Sequence, residues 1–247
     1  MNITWLEKKN SDSLIVFFNG WGMDEHSISH LKNDGYDILM FNDYRGFEFK
    51  LTLKDKIYIA NHKKTYLIAW SMGVWGAAKG ISLPFLSSLD FEKTIAINGT
   101  LMPIDNDYGI PIKGYIITEK GIKFRGMDKF FMRMFNDNNN RRLFKEYMPQ
   151  RLLETQISEL IYIREMYNST EIFNFCGNKN ILWDKVYMSK EDMIFPFENQ
   201  FRFWNQYDTN NYQYRNLERI ELRTEGHYPF FLFKSWKNII EDGNSKN

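Results

Sequence analysis

Ser71 stands in Ala69-Trp70-Ser71-Met72-Gly73, after the apolar run Tyr66 to Trp70 and before a stretch rich in small residues. A serine on a sharp turn between a strand and a helix is the setting in which a hydroxyl is presented as a nucleophile. Small residues two before and two after it let neighbouring backbone close in; Gly73 meets that need fully and Ala69 less so. The hydroxyl attacks a carbonyl carbon only when a base takes its proton. On such a turn the partners follow in the order serine, acid, histidine, and His227, in Glu225-Gly226-His227-Tyr228-Pro229, is the one histidine after Ser71. For the acid, Asp192 in Glu191-Asp192-Met193-Ile194-Phe195-Pro196 is the first choice to orient the imidazole, and Asp105 in Pro103-Ile104-Asp105 is the alternative. Charge developing on the attacked oxygen needs two N–H donors. Met72, next to the nucleophile, supplies one; Trp21 in Asn19-Gly20-Trp21-Gly22 supplies the other, its flanking glycines letting the chain bend.

These residues need strands to carry them. Apolar runs at Ile3 to Leu6, Leu14 to Phe18, Ile38 to Phe41, Tyr66 to Trp70, Thr94 to Ile97, Lys185 to Met188 and Arg219 to Leu222 read as strands, each near a polar or glycine stop. Several are continuous and not alternating, which suits a mostly parallel sheet covered on both faces by helices. A helix is predicted from Met72 to about Lys79, where Gly73, Gly76, Ala77 and Ala78 allow it to pack close on the sheet. Turn, order and sheet together predict an α/β-hydrolase fold. From Lys113 to about Asn178 the spacing turns helical, at Gly126 to Phe135 and Arg151 to Tyr167, with Asn136 to Asn140 as a turn between helices. The predicted organisation is therefore a core over 1–112 and 179–247 interrupted by a helical lid insertion over 113–178. Trp70, Trp75, Phe130, Phe131 and Phe135 are either the lining of an acyl channel or ordinary core.

Composition narrows the class of molecule. The 247 residues are 43% hydrophobic and 17% aromatic, enough for a substantial core, and the formal charge is only +1, which gives no reason to expect nucleic-acid binding. A lone cysteine, Cys176, excludes an internal disulfide and fits a reducing compartment. His26 and His30 sit four apart without the glutamate of a zinc-protease motif and read as surface residues; no metal or organic cofactor is expected. Met1 to Ser13 has no secretory pattern, no apolar run is long enough to span a membrane, and the tail Glu241 to Asn247 is polar. A cytoplasmic protein, acting as a monomer, is the expectation.

Several stretches resemble one family, the biotin-pathway pimeloyl-acyl-carrier-protein methyl ester esterases of the BioG type. They are Phe17 to Asp24, Ala69 to Trp75, Ala96 to Thr100 with Pro103-Ile104-Asp105 and Gly109-Ile110-Pro111, and Ile194-Phe195-Pro196 with Asn199-Gln200. Asn19 and Ala69 depart from the wider hydrolase pattern, which has histidine and glycine there, and look like features of this family. The resemblance implies hydrolysis of the methyl ester of pimeloyl-acyl-carrier protein, with Ser71 attacking, Met72 and Trp21 holding the oxyanion and His227 protonating the leaving methoxide. An acyl-carrier protein would then be the partner that delivers the substrate. Between Lys113 and Arg151 ten lysines and arginines face four acids, a local net charge of +6. Such a surface suits a strongly acidic carrier, with Arg133, Arg141, Arg142 and Arg151 as candidate contacts. A thioesterase, a broad short-chain carboxylesterase and a hydrolase-like binding protein without activity are the rival readings.

Overall fold

A computed structural model describes residues 1–48, 50–81, 85–168, 181–210 and 216–241. All seven expected strands form: β1 (Asn2–Glu7), β2 (Ser13–Phe18), β3 (Asp37–Asn42), β4 (Lys64–Trp70), β5 (Lys93–Ile97), β6 (Lys185–Ser189) and β7 (Glu218–Leu222). They make one sheet in the order β1-β3-β2-β4-β5-β6-β7. β1 runs antiparallel to β3 and every other neighbouring pair is parallel. The continuous apolar runs are the interior strands: β3 and β6 are buried along their whole length, and β2, β4 and β5 everywhere but their first residue. The edge strands β1 and β7 are only partly buried.

Parallel strands need crossovers, and helices supply them. Among the described residues these are α1 (Leu53–Ala60), α2 (Met72–Ile81), α3 (Ile112–Arg125), α4 (Asp128–Met134), α5 (Asn138–Phe144), α6 (Leu153–Asn168), α7 (Phe197–Asn210) and α8 (Trp236–Ile240). The fold is that of the α/β-hydrolases. α2 lies as close to the sheet as its glycines predict: a Cβ on Gly73 would sit 2.2 Å from the Phe18 carbonyl oxygen, and one on Gly76 2.3 Å from the Tyr44 ring.

α3 to α6 lie in sequence between β5 and β6, over the C-terminal ends of the strands. α4 and α6 match the helical spacing read from the sequence. The stretch Asn136 to Asn140 does not: the Asp137 carboxylate accepts the Asn140 N–H at 2.8 Å, and the asparagines that follow it open α5. An aspartate at the N-cap satisfies one of the free N–H groups of the first turn, which offsets the low helix propensity of asparagine. Cys176, the end of the expected insertion and the tail after 241 lie outside the described residues.

Candidate active site

Because six strands share one direction, the loops after β2, β4, β5, β6 and β7 emerge on a single edge of the sheet. Ser71 follows β4 immediately and holds φ 58°, a left-handed conformation that a non-glycine residue adopts at a cost of roughly 1–3 kcal/mol. Neighbours over-determine it. The Ser71 N–H donates to the Ile97 carbonyl at 2.8 Å, the Ser71 carbonyl accepts the Val74 N–H at 3.0 Å, and a Cβ on Gly99 would lie 2.3 Å from the Ser71 carbonyl oxygen. The turn is thus clamped between the ends of β2 and β5.

His227, on the loop after β7, has its Nε2 2.8 Å from Ser71 Oγ and its Nδ1 2.8 Å from an Asp192 carboxylate oxygen. With the carboxylate on Nδ1, that nitrogen carries the proton and Nε2 is free to accept from the serine hydroxyl. The other Asp192 oxygen accepts the backbone N–H groups of Ile194 and Phe195, each at 2.8 Å. All three side chains are shielded from solvent: Ser71 is 5% exposed, His227 1% and Asp192 7%. Asp105, the alternative acid, instead caps its own turn by accepting the N–H groups of Asp107 and Tyr108.

A slot of about 160 Å³ opens over Ser71. Its walls include Trp21, Met72, Ile110, Tyr115, Phe130, Leu160 and Ile194. Among the described residues no acceptor takes the backbone N–H of Trp21 or of Met72, so both donors remain for a ligand oxygen. The loop that carries Trp21 is held from α6. Gly22 N–H donates to Glu159, the Trp21 indole donates to the Gln156 carbonyl at 2.8 Å, and the Gln156 amide returns a bond to the Gly22 carbonyl.

The four arginines divide. Arg151 is not a surface residue: it lies 2.6 Å from Glu159 and 3.1 Å from Asp43, with its side chain 9% exposed. Its place is inside, neutralising the buried carboxylate that holds Gly22, so it cannot meet a docking protein. Arg133 is half-buried and reaches the slot. Arg141 donates to the Phe135 carbonyl and to Asn138, and Arg142 is exposed on α5.

Of the five aromatic candidates, Phe130 lines the slot, while Trp70 and Trp75 are core. The Trp70 indole donates to the His227 carbonyl at 3.0 Å and its ring lies 5.6 Å from the imidazole. Phe131 and Phe135 pack on Phe144. His30 is only partly exposed: its ring sits between Tyr147 and Phe231, and burial lowers its pKa. Asp24, Glu25 and His26 bring potential metal-ligating atoms within 4.8 Å of one another, but both Asp24 oxygens already accept backbone N–H groups, from His26 and Gln150.

Sequence reading missed three supports of the site. Asn98, at φ 44°, donates to Ser189 and to the Gly226 and His227 carbonyls, and accepts the Ser189 N–H, tying the ends of β5 and β6 to the histidine loop. Gln156 and Glu159, more than 130 positions from Gly22, hold the Trp21 loop. A buried glutamate in a helix that otherwise needs apolar residues on that face was the available signal.

The family model described as Pimeloyl-ACP methyl esterase BioG matches residues 1–239. A malonyl-[acyl-carrier protein] O-methyltransferase of Bacteroides fragilis is 35% identical over 193 residues, 78% of this chain. The chain spans only 36% of that protein's length. Among solved structures, BioG of Haemophilus influenzae superposes with a TM-score of 0.78 at 24% identity, covering 97% of this chain and 99% of that one. A lipase-esterase related protein of Clostridium acetobutylicum gives a TM-score of 0.55 at 15% identity, with 92% of each chain covered.

Proposed function

The chain belongs to the Pimeloyl-ACP methyl esterase BioG family, and from that premise we propose that it hydrolyses the methyl ester of pimeloyl-acyl-carrier protein, releasing methanol, as a step of biotin synthesis. The observation that carries the reading is the line of hydrogen bonds from Asp192 through His227 to Ser71 beneath an apolar slot. The similar stretch within a protein named for methylating a carrier-bound malonyl group adds support: one activity would install the methyl ester and the other remove it.

In the proposed reaction His227 takes the proton from Ser71 Oγ as the oxygen adds to the ester carbonyl. The oxyanion is stabilised by the backbone N–H groups of Trp21 and Met72, which are fixed before substrate arrives and so cost no reorganisation. Collapse of the tetrahedral intermediate breaks the bond to the methoxy oxygen, which leaves as methanol with the proton from His227. Water, deprotonated by His227, then attacks the acyl-serine ester; the acid is released and Ser71 regains its proton. Asp192 stays ionised throughout and stabilises the imidazolium. The carrier protein would approach over the helices α3 to α5, where Arg142 and neighbouring lysines face solvent.

The test is release of free pimeloyl-carrier protein from its methyl ester by the wild type and by Ser71→Ala. Ser71→Ala is expected to lower kcat by a factor on the order of 10⁴ or more. No cleavage by the wild type, or equal cleavage by the variant, would overturn the reading.

A further inference from the structure

Arg133 is set apart from the other cations of the helical segment by where it ends. Its guanidinium donates at 2.7 Å to the Thr118 hydroxyl, and that hydroxyl in turn donates to the Gly114 carbonyl, so the arginine is held by a two-step chain anchored on α3. No carboxylate neutralises it among the described residues, and burial alone acts on it, lowering its pKa. A half-buried guanidinium with five N–H donors, one of them used, has donors left over in a wall that is otherwise mostly apolar.

Position gives those donors a use. Arg133, Thr118 and Phe130 line the slot over Ser71 and also line an outer groove of about 760 Å³ between α3 and α4. They form the partition between the two spaces. An acyl chain whose ester carbon lies at Ser71 and that continues into the outer groove would pass this partition, where Arg133 is the one cation lining both spaces.

Resting on the esterase reading above, we propose that Arg133 is a specificity residue that donates to an oxygen at the far end of the acyl chain. The substrate class it selects is an ester of an acyl chain that ends in a second carbonyl or carboxyl group, in preference to a plain alkanoate ester of equal length. A plain chain leaves the guanidinium desolvated against methylene groups, whereas a terminal carbonyl or carboxylate satisfies it. Discrimination of this kind is strong because the penalty is an unpaired buried donor.

The experiment compares kcat/KM for monomethyl pimelate and methyl heptanoate in the wild type, Arg133→Met and Arg133→Lys. The wild type is expected to prefer the monomethyl diacid, and Arg133→Met to lower that ratio roughly tenfold or more, as loss of a hydrogen bond to a charged group does. Arg133→Lys keeps the charge without the fork and restores part of the ratio. An arginine that merely supports the fold, or that serves the carboxylate formed at Ser71, would affect both esters alike; an unmoved ratio with both still cleaved overturns this inference and leaves the esterase reading standing. Cleavage of neither ester nor of the carrier-bound ester by the wild type would overturn both.

Discussion

Ser71 is held in a backbone conformation that serine alone would not choose, and the packing around it leaves no room for a side chain at Gly73 or Gly99. Gly73 shows the tolerance: its Cβ, if present, would stand 2.2 Å from the Phe18 carbonyl oxygen and 2.7 Å from that of Asn19, both backbone atoms that lead into the Trp21 loop. Gly73→Ala is therefore expected to push the Trp21 loop, the proposed source of an oxyanion donor, away from the serine. Overpacking of this kind costs about 1–3 kcal/mol, to be read from denaturant unfolding. A fall in kcat at least as large as for a lost oxyanion donor, roughly a hundredfold, should accompany it. The need for a small residue here was legible in the motif because it follows from local chain geometry, whereas the order serine, acid, histidine came from the fold that such a turn implies and left Asp105 beside Asp192 as a choice of acid. The place of Arg151 was not legible. Its partners, Asp43 and Glu159, come from a loop after β3 and from the face of α6, and no spacing rule connects them.

At the scale of elements, the strands were readable because a strand buried on both faces must be a continuous apolar run. Helices were harder. α5 begins in an asparagine run whose helical character depends on the Asp137 cap, and no helix was expected over α1 or α7. α6 matters most for the site, since it grips the loop after β2. Glu159 accepts the N–H groups of Gly22 and Tyr44 and is fully buried, so desolvation pushes its pKa up while Arg151 opposes the rise. Arg151→Met would leave that carboxylate unpaired, at a cost of about 3–5 kcal/mol near neutral pH. The sign of the pH dependence follows. A carboxyl whose folded pKa is raised above its unfolded value destabilises the fold when ionised, and the penalty fades as pH falls toward the unfolded value. The stability gap between wild type and Arg151→Met, measured by urea unfolding, should therefore narrow on acidification from neutral pH.

Across the whole molecule, charge is segregated although the total is only +1: the stretch from Lys113 to Arg151 carries +6, so the remainder carries −5. With Arg151 turned inward, Lys120, Lys123, Arg125, Lys129 and Arg142 remain exposed on α3 to α5, the face proposed for docking. Phe124, at 86% exposed, lies among them. Attraction between such a face and an acidic carrier acts over about a Debye length, roughly 8–10 Å at physiological salt, and adds mainly to the rate of encounter. Raising ionic strength should thus lower kcat/KM for the carrier-bound ester several-fold and leave that for a small uncharged ester nearly unchanged. Arg142→Glu, which alters no described hydrogen bond, should act in the same direction without loss of thermal stability. Steady-state kinetics on the two substrates across a salt series would read both effects, and equal salt dependence for both substrates would remove the case for docking on this face.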